Sequence, residues 1–367
     1  MCAQVKGSRL ILSFTATTAI AAGVNLALPA HSAQAEDAPN KGCEMLASPG
    51  SRAKLSGPFE GKLMIKCGEI SESALAAAQA QAMTVAPFAE APRRNDVRVS
   101  ELNDGTQSET TIARGADGVL CAAWNDSGQF LLNGLSAFGM SSNNGRTWRD
   151  RGHFLSGPGP DRNFGDPSLA WSERDRAFYY GAISDLGLSL WKSTDGCRSF
   201  EYVGPMHIGP FVDDKELIAV DNNKSSPYYG RIYVGWTNFA LDTDLNQTSS
   251  SDDSGLTWSP PVSLPGSGTN GQGMWPSIAP NADVYFALLN QVFAPGPQPQ
   301  DQWIYKSTDG GMTWVKMTDI ATDQLRPENA AASDACFRQA LNGFIRYLSS
   351  PQIAIHGDPK APAGYVT

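Results

Sequence analysis

Carboxylate side chains stand directly ahead of several short apolar runs in this 367-residue chain. They belong to Glu109, Asp166, Asp214 and Glu216. Two carboxyl groups held close together can act as general acid and as nucleophile or base in glycoside hydrolysis. We therefore take Asp166, Asp214 and Glu216 as candidate catalytic residues.

Arginine and aromatic residues recur in the same places. The candidate substrate-binding residues are Glu109, Arg162, Trp275, Arg346 and Tyr347. Charged and aromatic side chains at equivalent positions suit a polar ligand with flat ring faces, such as a sugar. The competing interpretation is structural: the acids cap turns, and the tryptophan packs between repeats.

A repeated frame of short apolar runs must position these residues. The runs are short, rich in aromatic and β-branched types, and bounded by Gly, Pro, Asn and Asp, which is typical of β-strands. Four of them lie just after the candidate site residues, at 111–113, 168–171, 216–220 and 277–279. No sustained helical period occurs between 107 and 320. The chain therefore predicts repeated four-stranded sheets.

One octapeptide pattern marks the same position in each repeat. Its copies begin at Ser141, Ser193, Ser251 and Ser307, with start-to-start spacings of 52, 58 and 56 residues. A near-constant period of this length indicates a repeat architecture, and four strands per period indicate propeller blades.

The octapeptide has the composition of a turn followed by a strand. Asn143, Asp195, Asp253 and Asp309 can accept hydrogen bonds from the backbone of their own turn. The final aromatic residue starts the next strand and buries a large apolar area. We expect a structural role for these motifs and no metal binding.

The pattern resembles the Asp-box, Ser-x-Asp-x-Gly-x-Thr-Trp, of bacterial neuraminidase repeat proteins. The third and fourth copies fit every fixed position, the first has Asn143 for Asp, and the second has Cys197, Ser199 and Phe200 for Gly, Thr and Trp. The resemblance implies an all-β, sialidase-like β-propeller over 107–367, with the boxes away from the substrate face.

The number of blades is a separate expectation. Four complete blades fit between 107 and 343, and a fifth begins at 350–355 and 364–367. Sialidase-like propellers have six blades, which predicts a chain truncated from six. The alternative is a five-bladed ring that the segment 97–101 completes.

The resemblance favours a glycan-directed protein, with a divergent glycoside hydrolase as the leading hypothesis. The arginine motif of catalytic sialidases is not found, and the nearest stretch, Pro92-Arg-Arg-Asn95, is of the wrong type. The rival is a non-catalytic propeller that binds a protein or a polysaccharide. A purely structural repeat is the third possibility.

Charge and the N-terminal segment indicate the compartment. The net charge of −9 argues against nucleic acid and against anionic membrane surfaces as partners. Residues 1–35 have the features of a bacterial signal peptide, with Ala33-Gln-Ala35 at the cleavage site, and a retained membrane anchor is the alternative. We expect a secreted or periplasmic protein with no membrane span after cleavage, and an N-terminal extension at 36–106.

Five cysteines remain after cleavage, and in an exported protein they can pair. Cys43 and Cys67 are the expected pair, within an irregular extension. The pairing of Cys121, Cys197 and Cys336 stays open. With four histidines and no Cys-x-x-Cys, the sequence predicts no zinc site and no cofactor.

Overall fold

The computed structural model describes most of the repeat region and part of the extension. The described residues are 38–52, 55, 57–71, 73, 97–100, 107–126, 134–154, 157, 161–209, 212–268, 271–290, 299–325, 353, 355, 356, 365 and 366. The predicted signal segment, Cys336, Arg346 and Tyr347 lie outside them.

Sixteen strands form four sheets of four. The strands are β1 Gln107–Arg114, β2 Leu120–Asp126, β3 Ser136–Ser141, β4 Arg149–His153, β5 Asn163–Ser172, β6 Ala177–Ser184, β7 Gly187–Ser193, β8 Glu201–Ile208, β9 Asp213–Val220, β10 Ile232–Asn238, β11 Asn246–Ser251, β12 Val262–Ser263, β13 Gly271–Ile278, β14 Val284–Asn290, β15 Pro299–Ser307 and β16 Val315–Leu325. A two-stranded sheet pairs β17 Ile355–His356 with β18 Tyr365–Val366.

Each sheet is an antiparallel meander in chain order, β1–β4, β5–β8, β9–β12 and β13–β16. The first strand of each sheet contacts the first strand of the next, β1 with β5, β5 with β9 and β9 with β13. Sheets whose first strands adjoin in succession are the blades of a propeller. The predicted all-β fold with four-stranded blades is confirmed.

Apolar layers hold neighbouring blades together. Phe138 of the first blade packs with Tyr180 and Phe200 in one buried cluster, and Tyr233 of the third blade packs with Phe286 of the fourth in another. All of these side chains are buried. Because both faces of an inner blade are covered, β6 is buried at every position.

The octapeptides form the turn between the third and fourth strands of each blade. In the third copy, Ser251 Oγ donates to Asp253 Oδ1 at 2.8 Å and accepts from Gly255 N at 2.9 Å. Thr257 donates through its backbone N–H and its hydroxyl to the same carboxylate, at 2.9 and 2.6 Å. The carboxylate of Asp253 therefore closes its own turn, as the sequence predicted.

The N-terminal extension is helical where the sequence indicated irregular chain. It contains α1 Ala38–Ala47, α2 Pro49–Arg52 and α3 Gly57–Lys66, which we call the helical arm. Phe59 and Leu63, one helical turn apart, are buried in the same cluster as residues of the second and third blades. That tertiary packing, which the local sequence does not encode, stabilises these short helices.

Two disulfides are present. Cys43 is bonded to Cys67, which confirms the expected pair and closes the helical arm. Cys121 is bonded to Cys197, a pairing that the sequence left open. Disulfides are typical of proteins outside the cytoplasm. None of the helices in the described part of the chain is long and apolar enough to cross a membrane.

Candidate functional site

A β-bulge interrupts the first strand of every blade near the end where that strand begins. The pairing register shifts between Ser108 and Thr111 in β1, and at the equivalent points of β5, β9 and β13. Each bulge contains a residue with positive φ: Glu109 at 51°, Asp166 at 55°, Lys215 at 56° and Gly273 at 68°. Three of the four are not glycine, although that backbone conformation is costly for residues with a Cβ.

The three non-glycine bulge residues meet around one ammonium group. Lys215 Nζ lies 2.5 Å from Glu109 Oε2 and 3.3 Å from Asp166 Oδ2, so the two carboxylate oxygens are at most about 6 Å apart. The three residues come from three successive blades. The bulges therefore place two acids and one lysine at the end of the propeller opposite the octapeptide turns.

The three side chains differ in their solvent-exposed fractions. The side chain of Glu109 is 32% exposed, that of Lys215 is 15% exposed and that of Asp166 is 3% exposed. Glu109 is thus the side chain that a ligand meets first.

Asn125, at the end of β2, fixes the orientation of Asp166. Its side-chain carbonyl accepts from Asp166 N at 2.9 Å, and its amide donates to Asp166 Oδ1 at 3.4 Å. A Cβ at Gly165 would collide with the same Asn125 oxygen. Glycine at 165 therefore allows Asn125 to reach Asp166.

Two further acids lie next to this group. Asp214 and Glu216 flank Lys215 in β9, and both are fully buried. Gln272 Nε2 is 3.5 Å from Asp214 Oδ2. Neither carboxyl oxygen of Glu216 has a hydrogen-bond partner among the described residues. We call Glu109, Asp166, Asp214, Lys215 and Glu216 the mouth cluster.

Burial and mutual repulsion set the protonation of two members of the mouth cluster. Burial, and then the charge of Asp166, raise the pKa of Glu109 to about 7, against the opposing effect of Lys215. Burial, and then the charges of Asp166 and Asp214, raise the pKa of Glu216 well above its usual value. The site thus holds carboxyl groups that keep a proton where an ordinary glutamate has lost it.

The remaining candidates from the sequence lie elsewhere or outside the described residues. Arg162 pairs with Asp185, at 3.8 Å from Nε to Oδ2, and lies over the ring of Phe164. Trp275 donates from its indole to the carbonyl of Ile353 at 3.1 Å. Arg346 and Tyr347 are not described.

Lys215 is the residue that sequence reasoning missed. It lies between the candidate acids Asp214 and Glu216, but a lysine in a run of charges usually faces solvent. Its role depends on a bulge that the sequence pattern does not show, because Lys215 has no intrinsic preference for positive φ. The sequence hints at this role only through the run of charged residues at 213–216, which begins the inner strand β9.

A second group of charges lies beneath the helical arm. Lys62 is fully buried, and burial lowers its pKa to about 8 against the opposing charges of Asp213, Asp185 and Asp161. His207 Nδ1 is 2.6 Å from Asp213 Oδ2, and that carboxylate raises the pKa of His207 despite the opposing effect of burial. The helical arm covers this second group of charges, and the attraction between Lys62 and the three aspartates connects the arm to the blades.

The described residues contain no group of three or more His, Cys, Asp or Glu side chains that could hold a metal ion.

Comparison with known proteins gives distant structural matches. No family model matches the chain. No curated protein matches it in sequence. Among solved structures, a protein of unknown function from Dyadobacter fermentans is 19% identical with a TM-score of 0.42, covering 60% of this chain and 70% of that one.

Two enzymes are similarly distant. An α-L-arabinofuranosidase from Fusarium graminearum, in complex with an iminosugar inhibitor, is 13% identical with a TM-score of 0.45, covering 60% of this chain and 69% of that one. An intramolecular trans-sialidase from Ruminococcus gnavus, in complex with oseltamivir carboxylate, is 12% identical with a TM-score of 0.43, covering 59% and 71%. Matches at this level carry no inference about activity.

Proposed function

We propose that this protein is a glycan-directed propeller that hydrolyses a glycosidic bond at its mouth cluster. The observation that carries the proposal is the pair of carboxylates, Glu109 and Asp166, that converge on Lys215 from neighbouring blades. Glycoside hydrolysis requires two carboxyl groups in different protonation states.

In this proposal Glu109 is the general acid. Its side chain is 32% exposed and can reach a glycosidic oxygen. With a pKa of about 7, about half of the Glu109 carboxyl groups hold a proton at neutral pH and can donate it to a leaving group.

Asp166 is then the nucleophile, held in place by Asn125. The bound of about 6 Å on the distance between the oxygens of Glu109 and Asp166 lies below the 6.5–9.5 Å of inverting enzymes. Retention of the anomeric configuration is therefore expected.

Asp214 and Glu216 act as positioning residues in this scheme, because both are fully buried. Burial and the charges of Asp166 and Asp214 raise the pKa of Glu216. Lys215 balances the charge of Asp166 and Glu109.

A second candidate function is glycan binding without catalysis. The observation that favours it is the position of Lys215 Nζ between the two carboxylates, where a reacting glycosidic oxygen would have to lie. A binding protein has no need to move this lysine, whereas an enzyme must.

The test is a hydrolysis screen on a panel of aryl glycosides and oligosaccharides with the full chain. Glu109→Gln and Asp166→Asn are expected to abolish turnover, and proton NMR of the first product should show retention. Asp117→Asn, an exposed acid at the other end of β1, is the matched control and should keep parental activity. Binding without turnover selects the second candidate. Absence of both binding and turnover across the panel contradicts the proposal.

Export is a second part of the proposal. Two disulfides and the predicted signal segment support a secreted or periplasmic location. N-terminal sequencing of the exported protein is expected to begin at Glu36. A sequence that begins at Met1 contradicts cleavage after Ala35.

A further inference from the structure

The ammonium group of Lys215 marks a place where two carboxylates from different blades hold one cation. Resting on the proposed function, we propose that the mouth cluster selects glycans that carry a free amino group. The ammonium of the sugar takes the place of Lys215 Nζ between Glu109 and Asp166, and acidic glycans are rejected.

The net negative charge of the mouth cluster favours a cationic ligand. The mouth cluster holds four carboxyl groups and one ammonium group, so it stays net negative with as many as two carboxyls protonated. Like charges juxtaposed in an interface repel each other, which disfavours a sialic or uronic acid. The whole chain, at −9, adds a field of the same sign.

The buried acid Glu216 also favours a cation at the mouth cluster. Glu216 is fully buried and neither of its carboxyl oxygens has a hydrogen-bond partner among the described residues. Burial, and then the charges of Asp166 and Asp214, raise its pKa. A cation beside Asp166 offsets this repulsion, and a bound ammonium keeps a cation there when Lys215 Nζ is displaced.

The side chains of the mouth cluster are poorly suited to a carboxylate ligand. A carboxylate ligand is best held by the paired N–H groups of arginine. None of the ion pairs among the described residues brings an arginine to the mouth cluster, and Arg162 is paired with Asp185. In the described part of the site, the cation near an acidic sugar would be Lys215, which already pairs with Glu109 and Asp166.

Displacement of Lys215 is physically accessible. Its side chain is 15% exposed, and its ammonium ends a flexible four-carbon chain. Glu109, on the more exposed side, can accept the incoming ammonium before Lys215 leaves. The exchange conserves the charge of the site, which removes the cost of leaving two carboxylates without a cation.

The experiment compares three tetrasaccharides of equal length by isothermal titration calorimetry with the full chain. The probes are oligomers of glucosamine, N-acetylglucosamine and galacturonic acid. We expect the cationic oligomer to bind most tightly, the neutral one more weakly and the anionic one not at all. Binding of the cationic oligomer should weaken as salt is raised, because exposed charges are screened.

Two variants separate exchange from a general attraction of charge. Lys215→Met removes the internal competitor and should tighten binding of the glucosamine oligomer about tenfold. The double variant Glu109→Gln with Asp166→Asn should abolish it. The matched control, Asp117→Asn with Glu201→Gln, removes the same charge from the box end of the blades and should bind as the parent does.

Each outcome has a separate meaning. Equal or tighter binding of the galacturonic acid oligomer overturns the inference and leaves the proposed function standing. Weaker cationic binding by Lys215→Met, with an unchanged melting temperature, overturns the exchange of ammonium groups. If no oligosaccharide binds, and the hydrolysis panel is also silent, the proposed function fails and the inference fails with it.

Discussion

Cys197 occupies the glycine position of the second octapeptide, or box, and is bonded to Cys121 in the preceding blade. The equivalent residues Gly145, Gly255 and Gly311 have φ of 80°, 89° and 91°, and Cys197 has φ of 64°. A residue with a Cβ is disfavoured there. The departure from the box pattern is therefore the feature that joins the first two blades covalently.

The next two junctions use arginines at the same place. Arg174 donates to the carbonyl of Asp252 at 2.9 Å and to Ser254 Oγ at 3.3 Å in the third box. Arg231 donates to the carbonyl of Gly310 at 2.8 Å in the fourth box. The second, third and fourth boxes thus each receive a bond from the blade before them, and the disulfide is one version of that contact.

Removal of the disulfide is expected to destabilise the protein by about 2–4 kcal/mol. Cys197→Gly with Cys121→Ala should be less destabilising than Cys197→Ala with Cys121→Ala, because glycine adopts positive φ without strain. Urea denaturation of the two double variants and the parent measures both differences. Equal stability of the two double variants would show that the backbone at 197 is not strained.

The aromatic residue that ends each box is expected to stabilise its blade. Trp314 is buried and packs against Phe286 with ring centroids 5.2 Å apart. Trp314→Ala should cost about 3–5 kcal/mol, as for other large-to-small changes in a core. Trp258, which is only partly buried, is the matched comparison and should cost less. Thermal melts of Trp314→Ala and the parent that coincide would contradict the role of Trp314 in the core.

The strand frame was predictable from the sequence because it rests on local patterns. The first strand of each blade overlaps a predicted apolar run, and each box lies at the turn that its Asp or Asn closes. Turn chemistry and apolar runs act within a few residues, so a single sequence contains them.

Features that depend on distant residues were not predictable. The helical arm folds against the second and third blades through Phe59 and Leu63, and its own sequence gives little sign of this. Glu109, Asp166 and Lys215 have positive φ at the bulges, and because none of them is glycine the sequence does not indicate this conformation. Asp166 and Glu109 were chosen from their positions, but Lys215 entered only with the geometry.

The raised pKa of Glu109 gives a pH dependence with a defined sign. The pKa rises from 4.5 to about 7 on folding, so between these values the folded state holds more protons than the unfolded state. The contribution of Glu109 to the free energy of unfolding is present below pH 4.5 and is lost as pH rises toward 7. Glu109→Gln should therefore become more stable relative to the parent as pH rises through this window.

Urea denaturation at several pH values measures this difference. Glu201→Gln, an exposed glutamate at the start of β8, is the control and should follow the parent at every pH. A constant difference between Glu109→Gln and the parent across the window would contradict the shifted pKa.

Strain at the bulges predicts that glycine is the better residue for stability at position 109. Glu109 has φ of 51°, and the fourth blade has Gly273 at the equivalent position. Glu109→Gly should be about 1 kcal/mol more stable than Glu109→Ala, because only glycine relieves the backbone. Both variants should lose turnover. Equal stability of Gly and Ala at 109, measured by urea denaturation, would show that the bulge is not strained.

Asp166→Asn isolates the charge of the proposed nucleophile from its structural role. Asparagine adopts positive φ more readily than most residues and keeps an oxygen for the Asn125 amide, so the bulge at φ of 55° is preserved. The cost in stability should be below about 1 kcal/mol, whereas Asp166→Ala should cost more. Turnover should fall at least about hundredfold, because the amide cannot act as nucleophile or base. Parental turnover in Asp166→Asn would remove Asp166 from the catalytic pair. A loss of several kcal/mol in the same variant would instead show that its ion pair with Lys215 serves the fold.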